Sequence, residues 1–464
     1  MNVMVIGLDS AVPALVFEQW WNELSNLRAL TQEGIWGELT STHPPITVPA
    51  WSSMMSGLDP GELGFYGFRN RKDYSYDGYG IANSSVVQVD RVWDLLSSAG
   101  KKVILLGVPQ TFPVKPINGC VVADFLTPST KHEYTYPAEL KAEIERVSAG
   151  YILDIDNFRT PDKEHLLRRI YAKTEKHFKV AKHLASTRPW DFFMMVEMGV
   201  DRIQHGFWSF CDPDHRKYQR GNPFENTLKD YYRYVDKEIG ELLSLVPRDT
   251  AVLVVSDHGA KKMDGGICIN EWLIREGYLK IHHYPSEPKR LGEVSIDWDR
   301  TMAWAEGGYH GRIFLNVRGR EPRGIISAED YDKVRQELID KIVAMEDPNG
   351  NNIGSRAYTP EMIYRNPIRG IPPDLTVYFG DLAWRSVGSV GLNDIYTFEN
   401  DTGPDEANHD WKGIFLANRH AASLTGATPG CQEGLHISQI SDMILKMFNQ
   451  DGGPAEKIDY PLLS

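Results

Sequence analysis

The 464-residue chain is 42% hydrophobic and 24% charged, an ordinary globular composition that predicts one large domain with an insertion, or two domains. Its 63 acidic against 50 basic residues leave a net charge of -13, which excludes a general binder of nucleic-acid backbones but not a small anionic substrate, because a bound metal pair can reverse the field inside a cleft. No run approaches ~18 uninterrupted apolar residues, and the start MNVMVIGLDS lacks a basic region followed by an apolar stretch, so neither a membrane span nor a signal peptide is expected and a cytoplasmic location is the default.

Residues 3–8, VMVIGL, are apolar and β-branched, end at Asp9, and read as a buried strand. A helix is expected over 13–33, opened by Pro13. Thr47 lies in PPITVPAWSSMMSGLDPGELG, where Pro44, Pro45 and Pro49 fix the backbone ahead of a helix expected from Ala50. Its hydroxyl suits two roles: capping that helix, or facing a metal at a helix N-terminus where the dipole also favours phosphate. Trp20, Trp21, Trp36, Trp51 and Trp93 fall among helical segments and read as core, with Trp51 also placed to line a pocket.

Helices expected at 90–99, 161–187 and 225–245 alternate with apolar strands at 103–108, 191–196 and 251–256. That alternation predicts an α/β fold, a mostly parallel central sheet with helices on both faces. Ligands in such sheets bind beyond the carboxyl ends of the strands. Asp9 and Asp257-His258 therefore share one rim, and Asp201 and His205, after the 191–196 strand, are expected to reach it. The i,i+4 spacing of Asp201-Arg-Ile-Gln-His205 puts a carboxylate and an imidazole on one helical face. In Asp257-His258-Gly259, neighbouring ligands reach one metal only where the chain turns sharply, and Gly259 permits such a turn.

From about 262 to 400 the texture shifts toward Gly, Pro, Trp and Arg, with strands expected at 312–317 and 375–379 and a helix at 328–345. This segment reads as an inserted cap in a core formed by 1–261 and 401–464. Its GRIFLNVRGREPRG stretch reads mainly as cap structure, with Arg312, Arg318 and His310 as lesser substrate contacts. A strand at 412–417 and a helix at 436–448 resume the core, and residues from 450 on read as a loosely packed strap. His409, in NHDWKGIF, approaches the 412–417 strand. Cys120, Cys211, Cys268 and Cys431 lie far apart without a CxxC pair and read as incidental thiols.

Taken in order, Asp9, Thr47, Asp201 with His205, Asp257 with His258, and His409 supply ligands for two divalent metals plus an alkoxide nucleophile. With ITVPAWSSMMSGLDPGELGFYGF, DRIQH, VVSDHG, GRIFLNVRGREPRG and NHDWKGIF in this order, the chain resembles the alkaline phosphatase superfamily, and within it the type I phosphodiesterase and nucleotide pyrophosphatase group, including phosphohydrolases or phosphomutases of bacteria and archaea. The resemblance implies one metal held by Asp201, His205 and His409 and another by Asp9, Asp257 and His258, with Thr47 between them. It implies zinc, and manganese would also accept the ligand set. Pyrophosphatase members carry an asparagine after the nucleophile that holds a phosphoryl oxygen; counted from the shared Gly64, that position here is Phe68. Arg69, Asn70 and Arg71 follow as candidates for the substrate-binding role.

The reaction expected from this resemblance is hydrolysis of a small phosphate ester, diester or nucleotide-type and also monoester, through a phosphothreonine. A phosphomutase or phosphoryl transferase of the same fold is the nearest alternative, and a metal-binding scaffold without activity another. The family's sulfatases need a Cys or Ser in a C/S-x-P-x-R motif, which Thr47-Val-Pro-Ala-Trp does not offer. No nucleic-acid polymer or membrane is expected as partner, and the sequence leaves the oligomeric state open.

Overall fold

In the computed structural model of the chain, which describes residues 1–449, a ten-stranded sheet forms the centre. Five neighbouring strands, Ala251–Val255, Val3–Leu8, Phe192–Glu197, Val103–Leu106 and Gly119–Val122, run parallel. Lys412–Ala417 joins antiparallel between Ala251–Val255 and Ile35–Thr40. The strand period of two decides which side chain enters which layer. Met4, Ile6 and Leu8 pack with the helices Lys163–Thr187, Gly199–Cys211 and Thr227–Leu243 on one face. Val3 and Val5 pack with Thr47–Ser56, Val92–Ser98 and Gln439–Met447 on the other. The expected α/β sheet with helices on both faces is what the chain forms.

Two helical expectations need correction. The segment 13–33 is not one helix: a π-helical turn at Ala14–Gln19 is followed by a separate helix at Ser25–Leu30. Asp236 explains the restart, because its carboxylate accepts hydrogen bonds from the backbone N–H groups of Asn26 and Leu27 at 3.1 and 2.8 Å and so supplies a cap from another helix. The helix expected from Ala50 begins at Thr47 instead. Pro49 fits inside its first turn because the N–H that proline lacks has no intrahelical acceptor there.

Residues 267–390 contain an apolar core of their own, around Trp304, Phe314, Leu315, Leu375 and Val377. It is built on a four-stranded sheet of Ala303–Glu306, Gly311–Leu315, Leu375–Tyr378 and Arg356–Tyr358, with the helix Tyr331–Val343 against it. A short antiparallel pair, Gly259–Lys262 with Ala407–Asp410, ties the two ends of this region together at the rim of the large sheet. The strap expected from residue 450 on lies outside the described residues. No helix among the described residues is long and apolar enough to cross a membrane, and the four cysteines are free.

Candidate metal centre and cleft

The parallel strands deliver their carboxyl ends to one rim, and the residues just beyond them converge there. Asp9 follows Val3–Leu8, and Asp257-His258 follow Ala251–Val255. Asp201 and His205 lie one turn apart in Gly199–Cys211, the helix after the Phe192–Glu197 strand. His409 arrives by antiparallel pairing with Ala260, two residues from His258. The two imidazoles stack with centroids 3.8 Å apart. Gly259 is required by close approach: a Cβ there would fall 2.1 Å from the Lys412 carbonyl oxygen.

All six side chains are buried. Asp201, His205 and His409 each offer an atom within 4.8 Å of the others, as do Asp9, Asp201 and His258. Asp257 stands beside the second group, its Oδ2 3.2 Å from His258 Nε2. Thr47, the first residue of its helix, lies with Oγ1 3.5 Å from the same nitrogen.

Each imidazole is fixed through Nδ1. His205 Nδ1 faces Asp405 Oδ1 at 2.8 Å, His258 Nδ1 the Gly259 carbonyl at 2.9 Å, and His409 Nδ1 the Pro45 carbonyl at 2.8 Å. Carbonyl oxygens only accept, which assigns the Nδ1 proton and turns Nε2 of His258 and His409 inward as lone-pair donors. The carboxylates are oriented from behind. Trp51 Nε1 donates to Asp9 Oδ2 at 2.8 Å, the Ser10 N–H to Asp257 Oδ1 at 3.2 Å, and Arg202 to Asp201 Oδ2. Trp51 therefore holds a candidate ligand.

The remaining oxygens test whether cations fit. Asp9 Oδ1, Asp201 Oδ1 and Asp257 Oδ2 are buried and accept no hydrogen bond, an expensive arrangement for acids unless positive charge is supplied. In the protein alone, burial and then Asp201 push Asp9 up, and burial and then Asp9 push Asp257 far up. Burial also opposes the charge on Asp201, but His205, Arg202 and His409 outweigh it and keep that acid below its ordinary range. His205 is held protonated against burial by Asp405, Tyr309 and Asp201, so a cation at Asp201 would displace its second proton. The oxygen and imidazole donors fit divalent metal ions.

Above these residues opens a cleft of about 390 Å³. Thr47, Asp201 and His409 line its base, Phe68, Phe125 and Phe158 give it apolar surface, and five arginines, Arg69, Arg159, Arg202, Arg312 and Arg385, face one aspartate and one glutamate. Of the three substrate-binding candidates, only Arg69 reaches the cleft. The Asn70 amide is used within its own turn, accepting from the Tyr66 N–H at 2.7 Å and donating to the Gly67 carbonyl at 3.0 Å. Arg71 is buried elsewhere, 3.0 Å from Glu321 and surrounded by Tyr74, Trp304 and Phe314. Alternation along Arg69–Arg71 would leave the two arginines on one face of the strand, so it is the pairing with Glu321 that draws Arg71 away from the cleft. Arg312 and His310 line the cleft, whereas Arg318 does not.

Several site residues carried no sequence signal of their own. Asp405 braces His205, and Arg159 Nε donates to Asp405 Oδ2 at 2.7 Å. The Tyr309 ring stacks on both His409 and His205, with centroids 4.1 and 4.9 Å away. Arg202 lay in plain view within DRIQH, and only the contact with Asp201 reveals its use.

The sequence matches the family described as type I phosphodiesterase / nucleotide pyrophosphatase over residues 3–405. No curated protein matches it. Among solved structures, the murine ectonucleotide pyrophosphatase / phosphodiesterase 5 is similar at 13% identity and a TM-score of 0.54, covering 98% of this chain and 97% of its own. The human protein of that name has 12% identity, a TM-score of 0.54 and coverages of 98% and 96%. An inactive threonine-to-alanine variant of the murine protein, in complex with AMP, is similar at 12% identity and a TM-score of 0.54, with coverages of 98% and 97%.

Proposed function

The chain belongs to the type I phosphodiesterase / nucleotide pyrophosphatase family, and from that premise we propose that this hydrolase of phosphoric ester bonds attacks phosphorus with the Thr47 hydroxyl. The observation that carries the reading is the convergence of three unpartnered buried carboxylate oxygens and three inward imidazole nitrogens beside Thr47 Oγ1. Asp201, His205 and His409 would hold one divalent cation and Asp9, Asp257 and His258 another, zinc by preference and manganese as the alternative. When bound, such a pair supplies Lewis acidity and positive charge for the entering and leaving oxygens.

The chain's own residues do the rest. Thr47 opens a ten-residue helix whose first turn aims unpaired N–H groups and the positive end of the dipole toward an anionic phosphoryl group. Its hydroxyl loses a proton to solvent as oxygen bonds to phosphorus, the ester oxygen departs, and a phosphothreonine results. Water then cleaves that ester in a second displacement and restores the hydroxyl. Arg202 on Asp201, Asp405 on His205 and Trp51 on Asp9 fix the ligand side chains before substrate arrives, so little reorganisation accompanies the reaction.

Phe68 and Arg69 line the cleft, Phe68 at the sequence position where the pyrophosphatase pattern carries its asparagine. A guanidinium there suits a substrate with more negative charge than a simple diester. Small phosphate esters, including monoesters, are therefore the proposed substrates, and a cytoplasmic location is proposed with them. The test measures release of p-nitrophenol from mono- and diesters before and after chelation, followed by readdition of zinc or manganese. Mass spectrometry of a quenched reaction then looks for phosphate on Thr47, and added alcohols report transfer instead of hydrolysis. Activity indifferent to chelation, with no bound metal by elemental analysis, would sink the proposal.

A further inference from the structure

Arg385 is a buried guanidinium short of partners. It is 5% exposed, belongs to the Trp384–Val387 strand and lines the cleft. Its Nε and Nη1 make no hydrogen bond. The nearest carboxylates are Asp401 Oδ1, 3.9 Å from Nη2, and Asp405 Oδ2, 4.0 Å from Nη1, both beyond hydrogen-bond reach. Asp405 is already engaged by His205 and Arg159, and Asp401 Oδ2 accepts from Ser389. The neighbouring arginines show the contrast: Arg202 forms a two-pronged pair with Asp154, and Arg159 donates to both Asp405 and Tyr309. Leaving buried donors unused costs free energy unless something else occupies them.

The backbone holds Arg385 in place. Gly308 and Ser386 exchange hydrogen bonds at 2.8 and 3.0 Å, and a Cβ on Gly307 would fall 2.4 Å from the Gly388 nitrogen. The strand bearing Arg385 is thus locked against the turn bearing Tyr309. Its guanidinium carbon lies 5.9 Å from the Tyr309 ring centre. Nη1 approaches Asp405, which bonds His205 on the Nδ1 side, whereas the ligand nitrogen Nε2 faces Asp201. Arg385 therefore lies on the Nδ1 side of His205, opposite the nitrogen that faces Asp201.

We propose that Arg385 receives a second oxyanion of the substrate, a carboxylate or a further phosphate carried on a group esterified to the phosphorus that Thr47 attacks. This rests on the reading of the Asp and His constellation as the phosphoryl centre. Arg159 shares Asp405 Oδ2 and lies 5.8 Å from the same Tyr309 ring, adding positive potential beside the subsite. A protein of net charge -13 needs such a local concentration of arginine to admit a polyanion.

The test uses p-nitrophenyl phosphodiesters whose second arm is a neutral alkyl, a carboxyalkyl or a phosphoalkyl chain. For Arg385→Gln, the ratio of kcat/KM for an anionic arm to that for the neutral arm is expected to fall about 10- to 100-fold, with part of the ratio retained in Arg385→Lys. The two anionic arms tell carboxylate from phosphate. Calorimetric titration of the zinc-loaded protein with methylphosphonate and a graded series of ω-phosphonocarboxylates gives a second readout, in which Arg385→Gln is expected to lose the extra affinity of the dianions. An unchanged arm ratio, or equal losses on every arm, overturns the subsite. If the wild type cleaves no ester yet binds the dianions more tightly through Arg385, the hydrolase reading fails and the subsite stands. Dianion binding that is indifferent to Arg385 overturns it whatever the turnover.

Discussion

The base of the cleft, where Asp9, Asp201 and Asp257 converge, gathers buried carboxyl groups, whereas its wall, formed by residues 306–312, Arg385, Arg69 and Arg159, gathers arginines. At the base the carboxylates and imidazoles are braced from behind, and one oxygen of each aspartate is left unpaired. In the wall Arg159 is paired with a carboxylate, Arg385 leaves Nε and Nη1 without a hydrogen bond, and Arg69 lines the cleft. On the proposed function the difference separates two tasks that one charge pattern cannot perform together: assembling cations for the chemistry and choosing which anion reaches them. Changes at the base are expected to act on turnover, and changes in the wall on substrate preference or stability.

The largest effect that could break this division comes from Thr47→Ala, expected to lower kcat on the order of 10³-fold or more while metal content stays near that of the wild type. Retention of more than about a tenth of the rate, a change under ~1.4 kcal/mol in the barrier, would remove Thr47 as nucleophile. Arg71→Ala takes the opposite form. It leaves buried Glu321 with Arg320 as its remaining cation and is expected to cost about 1–3 kcal/mol of stability, read by denaturant titration, with little change in the kinetics of the protein that remains folded.

Asp405→Asn sharpens the boundary between base and wall, because Asp405 touches both His205 and Arg159. Loss of its charge is expected to weaken metal affinity about 10- to 100-fold, measured by competition with a chromogenic chelator; unchanged affinity would make Asp405 a wall residue only. Arg69→Ala is expected to lower monoester kcat/KM roughly tenfold and diester kcat/KM less, since a monoester carries the extra charge. Equal effects on matched substrates would end its role in charge selection.

The smallest expected effect concerns His310, a buried wall residue that burial and then Arg312 push down to about 3. Its folded value lies below the unfolded one of roughly 6.5, so the unfolded chain takes up the proton first and stability falls as pH drops through that window. The loss reaches at most ~1.4 kcal/mol per pH unit for this group. His310→Phe is expected to flatten the denaturation midpoint between neutral and mildly acidic pH, and an unaltered slope would show that His310 is not held neutral.

Much of the base could be read from the sequence. An apolar run of strand length ending in Asp9, another ending in Asp257-His258, and the one-turn spacing of Asp201 and His205 are local patterns, and parallel topology places the ends of such strands on one rim. The contacts between distant segments could not be read in this way. His409 reaches His258 only because Ala407–Asp410 pairs with Gly259–Lys262 across some 150 intervening residues. The service of Asp405 to His205, of Trp51 to Asp9 and of Arg71 to Glu321 depends on similar distant meetings. The sequence by itself determined most strands and helices and the candidate ligands carried at their ends, since side-chain periodicity records which face of an element is buried. Only the tertiary structure decided which carboxylate braces which imidazole, which arginine is paired with a carboxylate and which is not, because those outcomes depend on register and on approach between segments that no local pattern encodes.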